Sequence, residues 1–199
     1  LDIQAADAAN FQRLAAPLLY ADSRFRASSN TILHGLALQS ALWQLAISGD
    51  LPIMLLRIDD IEDLAQVREL LLTHEYLRMK RLAVDLVIVN EHAATYVQDL
   101  QNGIETAVRS SQSRPRFHSE LARGSVYTVR TDLMNAEVCQ LLYAAARVVL
   151  VARRGSLQEQ LARLPDTSQS PQPSPVFRAP HISASKHLQH PELECFNGL

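Results

Sequence analysis

The sequence is poor in cysteine, has no excess of either charge and contains no long apolar run. With 19 basic and 21 acidic residues the formal net charge is -2, which is not the charge pattern of a nucleic-acid-binding protein or of a polybasic membrane surface. The longest apolar stretches, 51–56, 84–89 and 148–152, are far shorter than the ~20 residues that cross a bilayer. We therefore expect no nucleic-acid partner and no direct membrane contact from this chain.

Cysteine is limited to Cys139, inside an apolar helical pattern, and Cys195, near the end of the chain. Two such distant thiols lack the paired spacing of a zinc site and are typical of free cysteines in a reducing compartment. A disulfide between them remains an alternative. The cytoplasm is the predicted location, since no basic start followed by an apolar signal region is present.

Motifs that would identify a reaction or a bound group are also missing. No GxGxxG or GxxxxGK[ST] follows an apolar run, so no glycine loop is available to hold a phosphate, and no GxSxG elbow precedes a helix. Histidines are scattered, with three of them in a stretch that has no predicted secondary structure to hold metal ligands in place. They stand at positions 34, 74, 92, 118, 181, 187 and 190. The sequence therefore predicts no catalytic residue, no cofactor and no metal site.

A strand, a helix and a second strand can be predicted between positions 47 and 91. Apolar runs at 51–58 and 84–89 have the length of strands that are buried on both faces of a sheet. The amphipathic segment between them, from about 59 to 80, is long enough to connect a parallel pair. This unit predicts a small, three-layer-like α/β domain with about three mostly parallel strands and flanking helices.

The remaining elements surround this unit. Docking helices are predicted over 5–20 and 28–45, with Ser28 among the N-cap candidates of the second, and a linker rich in Pro, Ser, Gln and His is predicted after 164. Asn135 is predicted to cap the helix that begins at 136, and Ser156 and Glu159 are predicted to form a capping box that opens a short helix to 164. The predicted organisation is 1–46 for the N-terminal helices, 47–164 for the α/β domain, and 165–199 for the linker and the start of a next domain. Within the α/β domain, further helices are predicted at 92–110 and 136–152 and a third strand at 125–130. Because the chain starts at Leu1 without methionine and stops after a short polar tail, we expect it to be a piece of a longer protein.

Polar residues follow the predicted strand ends, where ligands of parallel sheets usually bind. Such side chains also satisfy the free amide groups of helices that begin there, and we predict this capping role, with Asp59 and Glu62 as a capping box and Asn90 as a cap. Proton transfer by Glu91 and His92, or a metal site among the acidic residues, is the alternative. The residues concerned are Asp59, Asp60, Asn90, Glu91, His92 and Asp132.

Four stretches resemble a known family. They are LQSALWQLAISGDLPIMLLRI at 38–58, VRELLLTHEYLRMKRLAVDLVIVNE at 67–91, AAARVVLVARRGSLQEQL at 144–161 and PELECFNGL at 191–199. Together they resemble bacterial cyclic β-1,2-glucan synthases, in the segment that leads into their C-terminal glycoside-phosphorylase-like module, and the related β-1,2-oligoglucan phosphorylases. Trp43, within the first stretch, is predicted to belong to a core and not to a sugar-binding platform.

The resemblance implies a large inner-membrane glycosyltransferase that builds β-1,2-glucan from UDP-glucose, with a phosphorylase-like module that controls chain length. It implies that the catalytic residues lie outside this chain, which would be a non-catalytic connecting segment on the cytoplasmic side, in contact with adjacent domains of the same polypeptide. Two alternatives remain open. The chain could be a free-standing domain that binds a small molecule or carbohydrate at the strand ends, or an enzyme in its own right.

Overall fold

A computed structural model of the chain describes residues 3–92, 98–113 and 124–163. These residues belong to one compact unit, Leu1–Pro165, and none of their helices is long and apolar enough to cross a membrane. The predicted linker at 165–199 lies outside the described residues, as do 93–97 and 114–123. The elements are helices α1 (Ala5–Tyr20), α2 (Ser29–His34), α3 (Leu64–Met79), α4 (Asp99–Gln112), α5 (Ala136–Ala145) and α6 (Leu157–Ala162), and strands β1 (Ile53–Ile58), β2 (Asp85–Asn90), β3 (Val126–Arg130) and β4 (Val148–Val151).

The four strands form one parallel sheet in the order β3-β2-β1-β4. β1 lies in the middle and pairs with β2 on one side and with β4 on the other, while β3 adds to the far side of β2. Helices α3, α4 and α5 make the three connections. The α/β class and the parallel pairing are thus confirmed. Because β4 returns to the opposite side of β1, the strand order reverses between these two strands.

Alternate residues of the central strands face two separate apolar layers. On one face, Met54 and Leu56 pack with residues of α1, α3, α4 and α6. On the other face, Leu55 and Val87 pack with residues of α5 and of a 3-10 helix, Gln39–Leu45. Since β1 and β2 are covered on both sides, their sequences are almost continuously apolar.

Several predicted helix boundaries are confirmed. The helix predicted over 5–20 is α1. Ser28 and Asn135 each accept a hydrogen bond from a first-turn amide of α2 and α5. Ser156 and Glu159 form the predicted capping box at the start of α6, in which each side chain accepts the other residue's backbone N–H.

The helix predicted over 136–152 is wrong in its second half. α5 ends at Ala145, and the chain then forms β4. The Arg147 amide donates to the Ile53 carbonyl at 2.9 Å, and Val148–Val151 pairs along β1. A short apolar run such as VVLV is compatible with a buried helix or a buried strand. The segment forms a strand here because β1 has a free edge with which it can pair. It adds a fourth strand to the three that were predicted.

The single helix predicted over 28–45 is also wrong, because α2 ends at His34. At Gly35 a Cβ atom would lie 2.5 Å from both the Ala144 Cβ and the Gln140 carbonyl oxygen of α5. Only glycine therefore lets the chain pass so close to that helix. The chain resumes as the 3-10 helix Gln39–Leu45. This break leaves Trp43 65% exposed, so its predicted place in a core is wrong as well.

Candidate functional site

The carboxyl ends of the strands bring the predicted polar residues to one edge of the sheet. The Asp59–Asp60 pair follows β1, the Glu91–His92 pair follows β2, and Asp132 follows β3. Three arginines share this edge: Arg57 near the end of β1, Arg130 at the end of β3, and Arg153 just after β4. We call this set the carboxyl-edge cluster. The cluster contains four carboxylates and three arginines, so most of its charges can pair with each other.

Arg57 and Glu91 form a two-pronged ion pair. The Arg57 Nε lies 2.8 Å from Glu91 Oε1, and the second guanidinium nitrogen lies 3.0 Å from Oε2. The Tyr143 hydroxyl, from α5, donates to Glu91 Oε1 at 2.6 Å. The guanidinium carbon of Arg57 also lies 5.5 Å from the centre of the Tyr143 ring. Three elements are therefore joined through one carboxylate.

The protonation states of this group suit a structural link. The hydrogen bond from Arg57 to Glu91 raises the pKa of the guanidinium. Burial, followed by the hydrogen bond to Glu91, raises the pKa of Tyr143 far above its ordinary range. Burial also raises the pKa of the nearby Cys139 thiol, against the opposing effect of the hydrogen bond with Tyr143. At neutral pH the arginine is charged while the phenol and the thiol keep their protons, so none of the three is prepared to act as a base or nucleophile.

Asp59 and Arg153 form an ion pair between the ends of β1 and β4. This is the place where the strand order reverses, which is where doubly wound sheets usually open a ligand crevice. The His92 Nδ1–H donates to the Asp59 carbonyl oxygen at 2.8 Å. The crevice is thus bridged by side chains of the protein itself.

The remaining polar residues of the edge are also hydrogen-bonded. Asn90 accepts the His92 amide at 3.0 Å and donates to the Gln101 side chain of α4 at 3.1 Å. Arg130 and Asp132 form an ion pair at 2.6 Å, and this arginine lowers the pKa of the Asp132 carboxyl. Each predicted site residue at this edge therefore contacts a protein partner.

The capping role predicted for Asp59 is wrong, whereas Asn90 accepts the His92 amide as a capping side chain does. The cap after β1 is Asp60, whose Oδ1 accepts the Glu62 amide at 3.0 Å. Asn90 is the last residue of β2, and the described part of the next helix begins at Asp99. The Asp59 carboxylate pairs instead with Arg153 across the sheet edge, a contact that exists only because β1 and β4 are adjacent. The prediction of positions 93–97 as helix falls outside the described residues.

The sequence patterns did not indicate the three arginines of the cluster, Arg57, Arg130 and Arg153, or the Tyr143 hydroxyl that binds Glu91. Arg57 could have been found, because it interrupts an otherwise apolar strand near its end. Tyr143 and Arg153 had no such signal, since their partners depend on the strand order and on β4. Among the residues that the structure describes, no three His, Cys, Asp or Glu side chains are placed to hold a metal ion.

Two pockets lie away from the carboxyl-edge cluster. The larger, with a volume of about 390 Å³, is a groove between α3 and α4 that contains Arg68, Asn102 and Thr106. The smaller, of about 280 Å³, lies by the start of β3 and contains His74 and Arg78. Leucines of α3 and hydroxyl and amide groups of α4 line the groove.

Comparison with known proteins identifies a relative of the chain. No protein-family model matches the chain. It is 40% identical over 205 aligned residues to the cyclic beta-(1,2)-glucan synthase NdvB of Rhizobium meliloti (strain 1021). The alignment covers 98% of this chain and 7% of that protein, so the chain spans only a small part of the relative's length. The predicted resemblance is therefore confirmed: over nearly its whole length, the chain is similar to one segment of a bacterial cyclic β-1,2-glucan synthase.

Proposed function

We propose that this chain is a non-catalytic connecting segment of a cyclic β-1,2-glucan synthase. In this proposal UDP-glucose and β-1,2-glucan are substrates of the longer synthase, and the residues that transform them lie elsewhere in its sequence. The segment stands on the cytoplasmic side of a bacterial inner membrane and holds adjacent domains of the same polypeptide in place. Residues 1–46 dock on the α/β domain of 47–164, and 165–199 leads to the next domain.

The observation that carries this proposal is the internal pairing of the carboxyl-edge cluster. Glu91 uses both carboxylate oxygens on Arg57 and Tyr143, and Asp59 pairs with Arg153. A general base or a ligand-binding carboxylate needs an oxygen directed at the substrate. These carboxylates are directed at protein cations instead, which favours a role in joining strands, helices and loops.

The test is the change Glu91→Gln in the full-length synthase that carries this segment. Glutamine keeps one acceptor oxygen for Tyr143 but loses the ion pair with Arg57. We expect the rate of glucan synthesis, assayed well below the melting temperature, to stay within about twofold of wild type, whereas a lost general acid or base costs ~10²–10⁴-fold. Thermal melting of the same variant reports folding separately. A loss of a hundredfold or more in a variant that melts like wild type would contradict the proposal.

The groove between α3 and α4 favours ligand binding as a second candidate function. Arg68 and Asn102 could bind polar groups of a sugar or phosphate, and leucines of α3 supply apolar contacts in the same groove. Calorimetric titration of the chain with UDP-glucose, inorganic phosphate and β-1,2-glucan tests this candidate. Micromolar binding that disappears in Arg68→Ala and persists in the surface control Arg109→Ala would support it, and the absence of binding heat would rule it out.

A further inference from the structure

Residues 27–49, between Arg26 and Asp50, contain no Asp, Glu, Lys or Arg. In a chain that is 20% charged, an uncharged stretch of this length is expected inside a core. The stretch instead runs over the surface of α5, as α2, an extended connection and the 3-10 helix Gln39–Leu45. Its composition is therefore unusual for its position.

One side of this stretch is fixed to the domain. Leu42 and Ile47 are 2% and 0% exposed, and they belong to the apolar layer under β1 and β2. Gly35 lies against the backbone of α5. These contacts hold the stretch in one position, so the side chains that point away from the domain are presented in a defined arrangement.

Four large apolar residues within positions 33–43 are exposed. Single exposed leucines are common on protein surfaces, but a run of them without charges is typical of the centre of a protein–protein interface, where charged residues are depleted and tryptophan is enriched. The four are Leu33, Leu36, Leu38 and Trp43, which are 67%, 76%, 79% and 65% exposed.

Two polar groups beside Trp43, the Gln39 amide nitrogen and the Ser48 carbonyl, are already hydrogen-bonded. The Gln39 amide nitrogen donates to the Ser48 carbonyl at 2.9 Å and to Asp50 at 3.2 Å. The indole N–H of Trp43 is directed at the same carbonyl, at 3.4 Å. A glucan site needs side chains that bind sugar hydroxyls as well as an aromatic face. Leucines and an indole whose polar neighbours are occupied fit an apolar protein surface better than a sugar.

We infer that residues 33–43 form a docking surface for another domain of the same synthase polypeptide, through an uncharged, apolar patch on that domain. This inference rests on the proposed function, because the relative extends far beyond the segment that matches this chain. Attachment within one polypeptide raises the effective concentration of the partner surface, so even a small apolar contact would remain formed.

Photo-crosslinking in the full-length synthase tests the surface directly. Trp43→p-benzoylphenylalanine replaces one aromatic residue by another, and Leu133→p-benzoylphenylalanine is the control, since Leu133 is 76% exposed but lies next to the charged Asp132. We expect position 43 to cross-link to peptides of the same polypeptide outside this segment, with a yield about tenfold higher than position 133. Mixing isotopically light and heavy synthase separates links within one polypeptide from links between copies.

A second set of variants protects this test against misfolding. Leu36→Ser with Leu38→Ser should abolish the cross-link from position 43, whereas Leu36→Ile with Leu38→Ile should retain it. Links to a second copy only, to glucan only, or equal yields at positions 43 and 133 would overturn the inference. The Glu91→Gln assay of glucan synthesis is independent of these outcomes, so the docking surface can fail while the non-catalytic role stands, and the reverse.

Discussion

The two ends of the parallel sheet hold their ionisable side chains in different ways. At the carboxyl end, side chains pair with side chains from other elements, as in Arg57 with Glu91, and the pair keeps contact with solvent. At the amino end, His74 and Asp85 are 3% and 2% exposed and bind backbone groups. The His74 Nε2–H donates to the Val84 carbonyl at 2.8 Å, and Asp85 accepts the Ser125 amide at 2.9 Å.

This difference appears in the direction of the pKa shifts. At the carboxyl end the hydrogen bond with an oppositely charged partner dominates, so the pKa of Arg57 is raised and that of Asp132 is lowered, and both groups stay ionised. At the amino end burial dominates, so the pKa of His74 is lowered and that of Asp85 is raised, and the neutral forms are favoured. The comparison shows that buried hydrogen bonds to backbone groups hold the amino end together, whereas ion pairs hold the carboxyl end.

The largest effect is expected for Leu86→Ala, at the buried amino end of β2. Leu86 is 0% exposed, and its truncation would leave a cavity between the sheet and the helices of the first face. We expect a loss of about 2–5 kcal/mol in the free energy of unfolding, measured by urea denaturation. A loss below about 1 kcal/mol would show that the sheet is less tightly packed at this end than the structure indicates.

Asp85→Ala should have the next largest effect, because it removes the acceptor of the Ser125 amide. Ser125 is exposed, so water can replace the lost acceptor, and we expect the loss of about 0.5–1.5 kcal/mol that one hydrogen bond contributes. Asp85→Asn is the matched control: it keeps an acceptor oxygen and removes a charge that burial disfavours. We expect it to be as stable as wild type or more stable at pH 7. If both variants lost the same stability, the carboxylate charge itself would matter at the amino end.

His74 should make stability sensitive to acid. Its pKa in the folded protein lies below the ordinary 6.5, so on acidification the unfolded chain takes up the proton first. Stability is then full above pH 6.5 and falls as the pH drops toward the folded pKa, by at most about 1.4 kcal/mol per pH unit for one proton.

His74→Gln provides the control for this pH dependence, because its amide can still donate to the Val84 carbonyl while it does not titrate. Urea denaturation between pH 7 and pH 5 should show a weaker loss of stability on acidification in this variant than in wild type. Equal pH dependence in the two proteins would assign the effect to other groups.

Asp59→Ala, at the carboxyl end of the sheet, should have the smallest effect on the free energy of unfolding. Arg153 is 65% exposed, and exposed ion pairs contribute about 0–1 kcal/mol. The double variant with Arg153→Ala should then be no less stable than Asp59→Ala alone, which a double-mutant cycle measures. A loss above about 2 kcal/mol would mean that the ion pair at the strand-order reversal is as important as the buried contacts of the amino end.

Local signals predicted most of the elements and part of the candidate site. The strands near 51–58, 84–89 and 125–130 and the caps at Asn135 and Ser156 follow from apolar runs and from short-range hydrogen bonding. The placement of acidic and amide groups at the strand ends was predicted too, since parallel strands end at one edge. Their partners were not predicted, because Tyr143 and Arg153 come close to Glu91 and Asp59 only after the sheet has assembled.

The sequence by itself determined the α/β class and the parallel pair of central strands, because two apolar runs of strand length joined by a long amphipathic segment favour parallel strands that are buried on both faces of a sheet. Its motifs also determined the resemblance to a synthase segment. The tertiary structure decided the rest. It turned 148–151 into a strand, because β1 offered a free edge, and it broke the predicted helix at Gly35, because α5 lies too close for a side chain. It also paired the charges of the carboxyl edge, since contacts between side chains distant in sequence depend on strand order.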